Sequence, residues 1–312
     1  MAFAPPRYAE LDVTTNFSFL RGGSHPEELV ATAKLLGLEA IAVTDHNTLA
    51  GVVRGHLAAR EVDGIKFIVG VRLDLKDAPS LLAYPTDRSA YGRLCRLLTL
   101  GQRRADKGDC ILHLDDVAAD AEGLIFIALT SDEEMAASFG PKLRRIKDVL
   151  GSPSRFYLAA RHSYRGDDRA RIAALAELGK RTSIPIVATN GVLYHAPHRR
   201  NLQDVLTAIR EKCTVAEAGL RLEANAERHL KSAHDMARLF SGHEDALIVP
   251  SKSLRPAPSL STSSSMNIPT NPSLKARLRS RVSKTSLGRE QPGVSAMASP
   301  RGCAIRLKGS SR

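Results

Sequence analysis

Four polar residues, 44–47 (Thr-Asp-His-Asn), follow directly after the apolar run 40–43 and carry groups capable of chemistry. Asp45 offers a hard oxygen and His46 an imidazole nitrogen, a combination suited to Zn, Mn or Mg. Polar groups at the carboxyl end of a buried strand lie where α/β folds bind their ligands. A capped turn is the alternative, with Asp45 or Asn47 accepting helix N–H groups and His46 exposed. The tetrapeptide alone leaves both hypotheses open.

A hydrolytic metal centre needs several converging carboxylate and imidazole groups, with one position left for water. The polar residues and turn glycine expected near the ends of the other strands are Asp12, Thr14, Arg72, Asp74, Tyr84, Ser131, Asp132, His162, Asn190, Gly191 and His195. His162 is a good ligand and Asp12 an acceptable one, whereas Arg72 would repel a cation. The predicted metal site is therefore Asp45, His46, His162 and Asp12. These residues are expected where a metal could bind, but they supply few good ligands. No catalytic or cofactor-binding residue is predicted.

The elements that must position these residues alternate between strand and helix patterns. Apolar or alternating runs predict seven strands, at 8–15, 40–43, 66–75, 80–86, 124–130, 155–163 and 184–194. Helical patterns lie between most of them, which is typical of parallel βαβ units. Seven strands with crossovers are nearly enough to close a barrel. We therefore predict an α/β fold, a distorted (β/α)7 barrel, with an open doubly wound sheet as the alternative.

Composition separates the chain into two regions. The 312 residues carry a net charge of +12, yet residues 250–312 hold twelve Lys and Arg against the single acid Glu290. The preceding 249 residues are therefore close to neutral, at +1. The four cysteines form no C-x-x-C pair, and the chain has neither a secretion signal nor an apolar run of ~18 residues. These features predict a cytoplasmic protein without a membrane partner.

Residues 248–312 are predicted to be a disordered basic tail, and residues 1–247 one folded domain. The stretch from 250 onward has fifteen Ser and seven Pro but no Phe, Tyr, His or Asp, so it cannot bury enough apolar surface to fold. The abrupt change in composition is typical of a GC-rich gene read out of frame, which is our preferred interpretation. A nucleic-acid-binding arm is the alternative, because Lys and Arg suit phosphate contacts.

Five segments, residues 8–22, 42–51, 112–117, 188–195 and 222–231, carry a resemblance to a known family. The chain resembles the N-terminal PHP (polymerase and histidinol phosphatase) domain of bacterial C-family DNA polymerases, the polymerase III α-subunit group. More narrowly, it is similar to the error-prone, translesion branch of that group. The similarity covers roughly residues 7–247.

The resemblance also implies which residues correspond to the family's metal ligands. The Asp-His pair matches at Asp45 and His46, and one histidine matches at His162. The family's His-x-His is here residues 12–14 (Asp-Val-Thr), its glutamate is Arg72, and its Asp-x-His is residues 191–193 (Gly-Val-Leu). Most ligand positions are thus replaced. A vestigial site is implied, at which Zn or Mn is not expected.

For the whole family member, the resemblance implies DNA-directed DNA synthesis in damage tolerance. Such a protein uses Mg²⁺, deoxynucleotides and DNA, and works with other proteins of a translesion complex. Its catalytic carboxylates lie on a palm domain downstream, so this chain alone is expected to be a structural platform that does not polymerise DNA. Two alternatives are an active PHP metal-dependent phosphoesterase or exonuclease, and a non-catalytic DNA-binding scaffold that relies on the tail.

Overall fold

A computed structural model describes residues 7–130, 136–151 and 155–247 of the chain. The expectations for Ser131, Asp132 and the tail at 248–312 lie outside the described residues. Within the described ranges, no helix is long and apolar enough to cross a membrane.

Strands and helices alternate along most of the described chain, as the apolar patterns predicted. The strands are β1 (Ala9–Glu10), β2 (Ala40–Val43), β3 (Lys66–Val69), β4 (Val71–Leu73), β5 (Leu81–Pro85), β6 (Leu124–Ala128), β7 (Phe156–Arg161) and β8 (Ile186–Thr189). The helices are α1 (Pro26–Leu35), α2 (Val52–Val62), α3 (Arg88–Arg103), α4 (Leu114–Ala119), α5 (Ala136–Leu150), α6 (Asp168–Thr182), α7 (Arg200–Glu211), α8 (Val215–Ala218) and α9 (Ala233–Leu239).

The strands form a closed ring, which confirms the predicted barrel. Hydrogen bonding orders them as β1-β2-β3 in one sheet and β4-β5-β6-β7-β8 in another. Two bridges join the sheets, one between His46 and Arg72 and one between Val13 and Val192. The predicted third strand, 66–75, divides at Gly70 into β3 and β4. A Cβ atom at Gly70 would lie 2.7 Å from the Tyr84 ring, so the strands pass closely here because this residue has no side chain.

One strand departs from the expected parallel arrangement. β5 runs antiparallel to both β4 and β6, whereas the other paired strands are parallel. Only residues 74–80 connect β4 to β5, and a parallel crossover needs about a dozen residues or more. The prediction of Tyr84 at the functional end of its strand is therefore wrong. Its hydroxyl donates to the Leu11 carbonyl oxygen at 2.7 Å, and Ser80 lies at the functional end instead.

Alternate strand residues pack on opposite sides of the ring. In β2, Ala40 and Ala42 belong to the inner apolar cluster, while Ile41 and Val43 belong to the layer beneath the helices. The inner cluster also takes Ile125 and Ile127 of β6, with small or branched residues from most other strands. A filled interior of this kind leaves no pore. The polar side chains are therefore displayed at the carboxyl ends of β1, β2, β4 and β7.

Candidate functional site

Asp12 lies at the centre of the functional end, just after β1. Its side chain is buried, and a guanidinium nitrogen of Arg161 at the end of β7 donates to its Oδ2. Burial by itself raises the pKa of Asp12, but the charges of Arg161, Arg72 and Arg228 outweigh it and leave the pKa below its ordinary value. Asp12 is therefore an ionised carboxylate surrounded by arginine cations.

Arg228 enters the site from the segment before α9. Its Nε donates to the Gly191 carbonyl oxygen at 2.5 Å, and its Nη1 lies 3.0 Å from Oε1 of Glu223. Gly191 has a φ of 57°, and a Cβ atom there would lie 2.9 Å from Nε of Arg161 and 3.0 Å from Nη2 of Arg228. A side chain at position 191 would thus displace both guanidinium groups. Sequence reasoning missed Arg161 and Arg228 as site residues. The available signals were the position of Arg161 directly before the matched His162 and the position of Arg228 within the segment 222–231.

Asp45 follows β2 and is fully buried. Its Oδ1 accepts hydrogen bonds from the Thr15 amide at 2.8 Å and the Ser18 hydroxyl at 2.6 Å, and its Oδ2 accepts one from the Thr15 hydroxyl at 2.8 Å. Burial raises the pKa of Asp45, although these hydrogen bonds oppose the shift. The carboxylate therefore organises the turn at residues 15–18. This differs from the capped-turn alternative, in which Asp45 or Asn47 would accept helix N–H groups and His46 would be exposed, because the His46 side chain is only 13% exposed.

His46 points to a different carboxylate. Its Nδ1 lies 2.6 Å from Oδ2 of Asp74, whose other oxygen accepts from Nε of Arg72 at 3.0 Å and from the Ser80 hydroxyl at 2.7 Å. Burial acts to raise the pKa of Asp74, but the bond from His46 and the charge of Arg72 hold that pKa well below its usual range. Burial lowers the pKa of His46 despite Asp74. The lowered pKa of His46 favours a neutral imidazole whose Nδ1–H donates to Asp74.

His162 follows β7 beside Arg161. Its Nδ1 is buried and has no hydrogen-bond partner in the described part of the chain. The nearest carboxylate oxygen, Oδ1 of Asp168, is 4.0 Å away and accepts instead from the Ser163 amide. The ring packs edge-on against Tyr164. None of these contacts directs the His162 imidazole toward Asp45 or His46.

Asn190 and His195 stabilise neighbouring segments. The side-chain amide of Asn190 donates to the carbonyl oxygens of Glu227 and His229, which ties β8 to the segment that carries Arg228. Nδ1 of His195 lies 2.8 Å from the Ser24 hydroxyl. Both residues were predicted near strand ends, and both are occupied by structural contacts.

The donor set does not fit a metal ion. Among the described residues, no group of three or more His, Cys, Asp and Glu side chains could hold one. Asp12 is paired with a guanidinium, Asp45 is engaged by the turn, and cations from β4, β7 and the segment before α9 face Asp12. Positive charge that a metal would supply comes here from arginine. The assignment of Asp45, His46, His162 and Asp12 as a vestigial metal site stays a prediction.

Comparison with known proteins gives consistent results. A family model described as PHP domain matches residues 10–176. The chain is 54% identical over 237 residues to an error-prone DNA polymerase of Caulobacter vibrioides, covering 76% of this chain and 22% of that protein. It is 48% identical over 246 residues to an error-prone DNA polymerase of Rhodopseudomonas palustris, covering 78% of this chain and 22% of that one. The chain thus spans about a fifth of these relatives.

A solved amidohydrolase structure from Chromobacterium violaceum is a more distant neighbour. It covers 59% of this chain and 86% of its own, with a TM-score of 0.44 and 14% identity, values too low to support a statement about activity. The family model alone covers more than half of the 312 residues. The resemblance seen at the strand ends is confirmed, and the chain belongs to the PHP domain family.

Proposed function

We propose that this chain is the N-terminal PHP portion of an error-prone DNA polymerase that acts in translesion synthesis. The observation that carries the proposal is the 54% identity to the Caulobacter vibrioides error-prone DNA polymerase over 237 residues. In this proposal residues 1–247 are the PHP domain, and residues 248–312 are an out-of-frame tail. The proposed location is the cytoplasm, where the substrate DNA is found.

The chemistry of the whole protein belongs to the part of the relatives that this chain does not span. Nucleotidyl transfer to a DNA primer needs carboxylates that hold two Mg²⁺ ions, with deoxynucleotides as substrates. DNA and the other proteins of a translesion complex are the proposed partners of that whole protein. The PHP portion is a non-catalytic platform for it.

The arginine cluster around Asp12, formed by Arg72, Arg161 and Arg228, supports a platform rather than an enzyme. Membership in the PHP family suggests metal use, but the described residues offer no metal-binding group. Arg161 satisfies Asp12, and Arg72 satisfies Asp74, so these two carboxylates are compensated within the protein. Carboxylates that are already paired with arginines need no metal cation to compensate their charge.

Reading the DNA beyond codon 247 in all three frames tests the proposal directly. We expect a neighbouring frame to resume similarity to the relatives and to encode the downstream carboxylates. The protein made from that restored frame should extend a primer on a DNA template, whereas the 312-residue chain should not. Primer extension by the 312-residue chain, or no similarity in any frame, would refute the proposal.

A metal-dependent phosphoesterase is the second candidate. It is favoured by the orientation of His46, because a metal-bound histidine commonly donates its other ring nitrogen to a carboxylate, as His46 does to Asp74. Hydrolysis of a phosphodiester with Mn²⁺, lost in His46→Ala but kept in the exposed His234→Ala, would establish this activity. We expect no hydrolysis by any of the three proteins.

A further inference from the structure

Helix α7 packs against the folded domain with its polar side and turns an apolar side to solvent. A surface helix normally does the reverse, because the apolar stripe is the side that gains from burial. In α7, Leu202, Val205 and Ile209 are 40%, 44% and 55% exposed, whereas Gln203 and Thr207 are buried. The outward side of α7 is thus the side that an ordinary surface helix would bury.

Hydrogen bonds to backbone carbonyl groups hold the polar side of α7 in place. Nε2 of Gln203 donates to the Arg21 carbonyl oxygen at 2.7 Å. At the start of the helix, the Arg200 guanidinium donates to the carbonyl oxygens of Glu223 and Asn225. Turning the apolar side inward would break these bonds and leave buried carbonyl groups without donors, so the orientation of α7 is fixed.

The exposed apolar residues of α7 form one continuous stripe, which we call the outer α7 face. It consists of Leu202, Val205, Leu206 and Ile209, of which Leu206 is partly exposed. At 3.6 residues per turn, these four side chains lie within roughly 100° of the helix circumference, and no other residue of α7 falls in that arc. A single exposed apolar residue is ordinary, but a contiguous stripe is typical of a surface that another element covers.

The relatives indicate which element covers the outer α7 face. The PHP family model matches residues 10–176, which end before α7 begins. Any stretch of 237 residues in a chain of 312 includes α7, so the match to the Caulobacter vibrioides error-prone DNA polymerase contains this helix. That match accounts for only 22% of the relative, so most of that polymerase lies outside it. A partner within the same polypeptide has a high effective concentration at this face.

We propose that the outer α7 face docks an apolar surface of the downstream portion of the polymerase, within the same polypeptide. The inference rests on the proposed function and adds the surface through which the PHP portion acts as a platform. A stripe of aliphatic side chains fits an apolar partner, because it offers no charge or hydrogen bond to an ionic one. The fixed orientation of α7 means that docking does not have to order the helix first.

The size of the outer α7 face favours a tethered partner over a second copy of the chain. The helix has 12 residues and is therefore about 18 Å long. Stable interfaces between separate proteins bury about 1,200–2,000 Å² in total, more than four aliphatic side chains supply. Contacts between domains of one chain persist with smaller areas, because the tether removes much of the entropic cost of association.

Thiol labelling tests whether the outer α7 face is covered. A chimaera carries residues 1–247 of this chain in place of the matched segment of the Caulobacter vibrioides polymerase. Val205→Cys is introduced into the chimaera and into the 312-residue chain, and peptide mass spectrometry measures the labelling rate. Val53→Cys on α2 is the matched control, because Val205 and Val53 are 44% and 59% exposed.

We expect the thiol at position 205 to react about tenfold or more slowly in the chimaera, since a contact that is closed about 90% of the time exposes it one tenth as often. The thiol at position 53 should react equally fast in both proteins. Equal labelling at position 205 in the two proteins would overturn the proposal, as would equal slowing at both positions. A 312-residue chain that sediments as a dimer with position 205 already protected would assign the face to a second copy, which also overturns it.

Primer extension by the chimaera tests the proposed function separately from this inference. Extension of a primer together with an unprotected thiol at position 205 would contradict the docking surface and leave the proposed function standing. A protected thiol in a chimaera that does not extend a primer would count against the proposed function and leave the docking surface standing. The two failures are therefore distinguishable in one protein.

A pair of charged double variants gives an independent measurement. Val205→Glu with Ile209→Glu places two carboxylates on the outer α7 face, and Val53→Glu with Leu57→Glu places two on exposed positions of α2. The α7 pair should lower the melting temperature of the chimaera, because docking would bury two unpaired charges, and should leave that of the 312-residue chain nearly unchanged. The α2 pair should act alike in both proteins. The same shift from the α7 pair in both proteins would overturn the proposal.

Discussion

Arg161 and Asp12 connect the ends of β7 and β1 across 149 residues of sequence. The two side chains are among the least exposed charged groups of the site, at 14% and 2%. Val13 and Val192 form a strand bridge beside them, so the ion pair lies at a seam where the ring of strands closes. The ion pair therefore connects strands of the barrel as well as belonging to the candidate site.

Replacing Arg161 by Met should destabilise the fold strongly. The variant leaves the Asp12 carboxylate buried without its main cation, and breaking one side of a buried pair costs about 3–5 kcal/mol. Urea denaturation followed by circular dichroism measures the free energy of unfolding.

Two further variants make this prediction specific. Asp12→Asn combined with Arg161→Met should recover part of the loss, because no uncompensated charge remains buried. Arg96→Met, which breaks an exposed pair with Asp120, should cost less than about 1 kcal/mol. A loss of similar size for Arg161→Met and Arg96→Met would contradict the structural role assigned to the Asp12 pair.

Metal ions should leave the melting temperature unchanged. A metal that binds only the folded chain, at 100 times its Kd, would add about 2.7 kcal/mol of stability. We expect no change when the chain is treated with EDTA and then supplied with Zn²⁺ or Mn²⁺, because Oδ2 of Asp12 and both carboxylate oxygens of Asp45 are already engaged. A saturable rise in melting temperature that disappears in Asp45→Asn and persists in His234→Ala would show that the site holds a metal after all.

The elements built from local patterns could be predicted from the sequence. The apolar run 40–43 is β2, buried at all four positions, and the clean apolar run that starts at Leu124 is β6. Such runs indicate burial directly, since a strand covered on both faces contains few polar residues. The order of strands and helices then favoured a closed barrel.

The orientation of β5 and the origin of the cations could not be predicted in this way. Ser80 reaches Asp74 because the short connection reverses the strand, and periodicity does not report strand direction. Arg228 contacts Gly191 from 37 residues further along the chain. Local patterns carry no information about which distant guanidinium will occupy a site. The arginine cluster could therefore be identified only from the structure.

The free energy of unfolding should fall as the pH rises from about 4.5 to 7, because Glu10 titrates differently in the folded and unfolded chains. Burial raises the pKa of this carboxyl from 4.5 to about 7, against hydrogen bonds from the Asp12 and Asn190 amides and the Tyr8 hydroxyl. Between these pH values the unfolded chain has lost the proton that the folded chain keeps. The unfolded state then binds fewer protons, so the free energy of unfolding decreases by at most about 1.4 kcal/mol per pH unit.

Glu10→Gln removes this dependence, because an amide does not titrate. Relative to the wild type, the variant should become steadily more stable as the pH is raised from 5 to 7, with the difference level above that. Chemical denaturation at pH 5, 6, 7 and 8 measures the trend, with the exposed Glu61→Gln as the control. Parallel curves for the wild type and Glu10→Gln would refute the assignment.

Two helical glycines should respond oppositely to alanine. A Cβ atom added at Gly92 in α3 would meet no neighbouring atom of the described chain within 4 Å, so Gly92→Ala should stabilise by about 0.5–1 kcal/mol through helix propensity. Gly55 in α2 packs on Phe67, and a Cβ atom there would lie 2.5 Å from the ring. Overpacking of a core contact costs about 1–3 kcal/mol, so Gly55→Ala should destabilise despite the same gain in propensity.

The comparison of these two variants tests the contact between α2 and β3, because both changes add one methyl group inside a helix. Phe67→Leu combined with Gly55→Ala should lose less than the two single changes together, since the smaller side chain makes room for the methyl group. Urea denaturation of all four variants gives the coupling free energy. Stabilisation by Gly55→Ala, or additive effects in the double variant, would mean that α2 lies further from Phe67 than the structure places it.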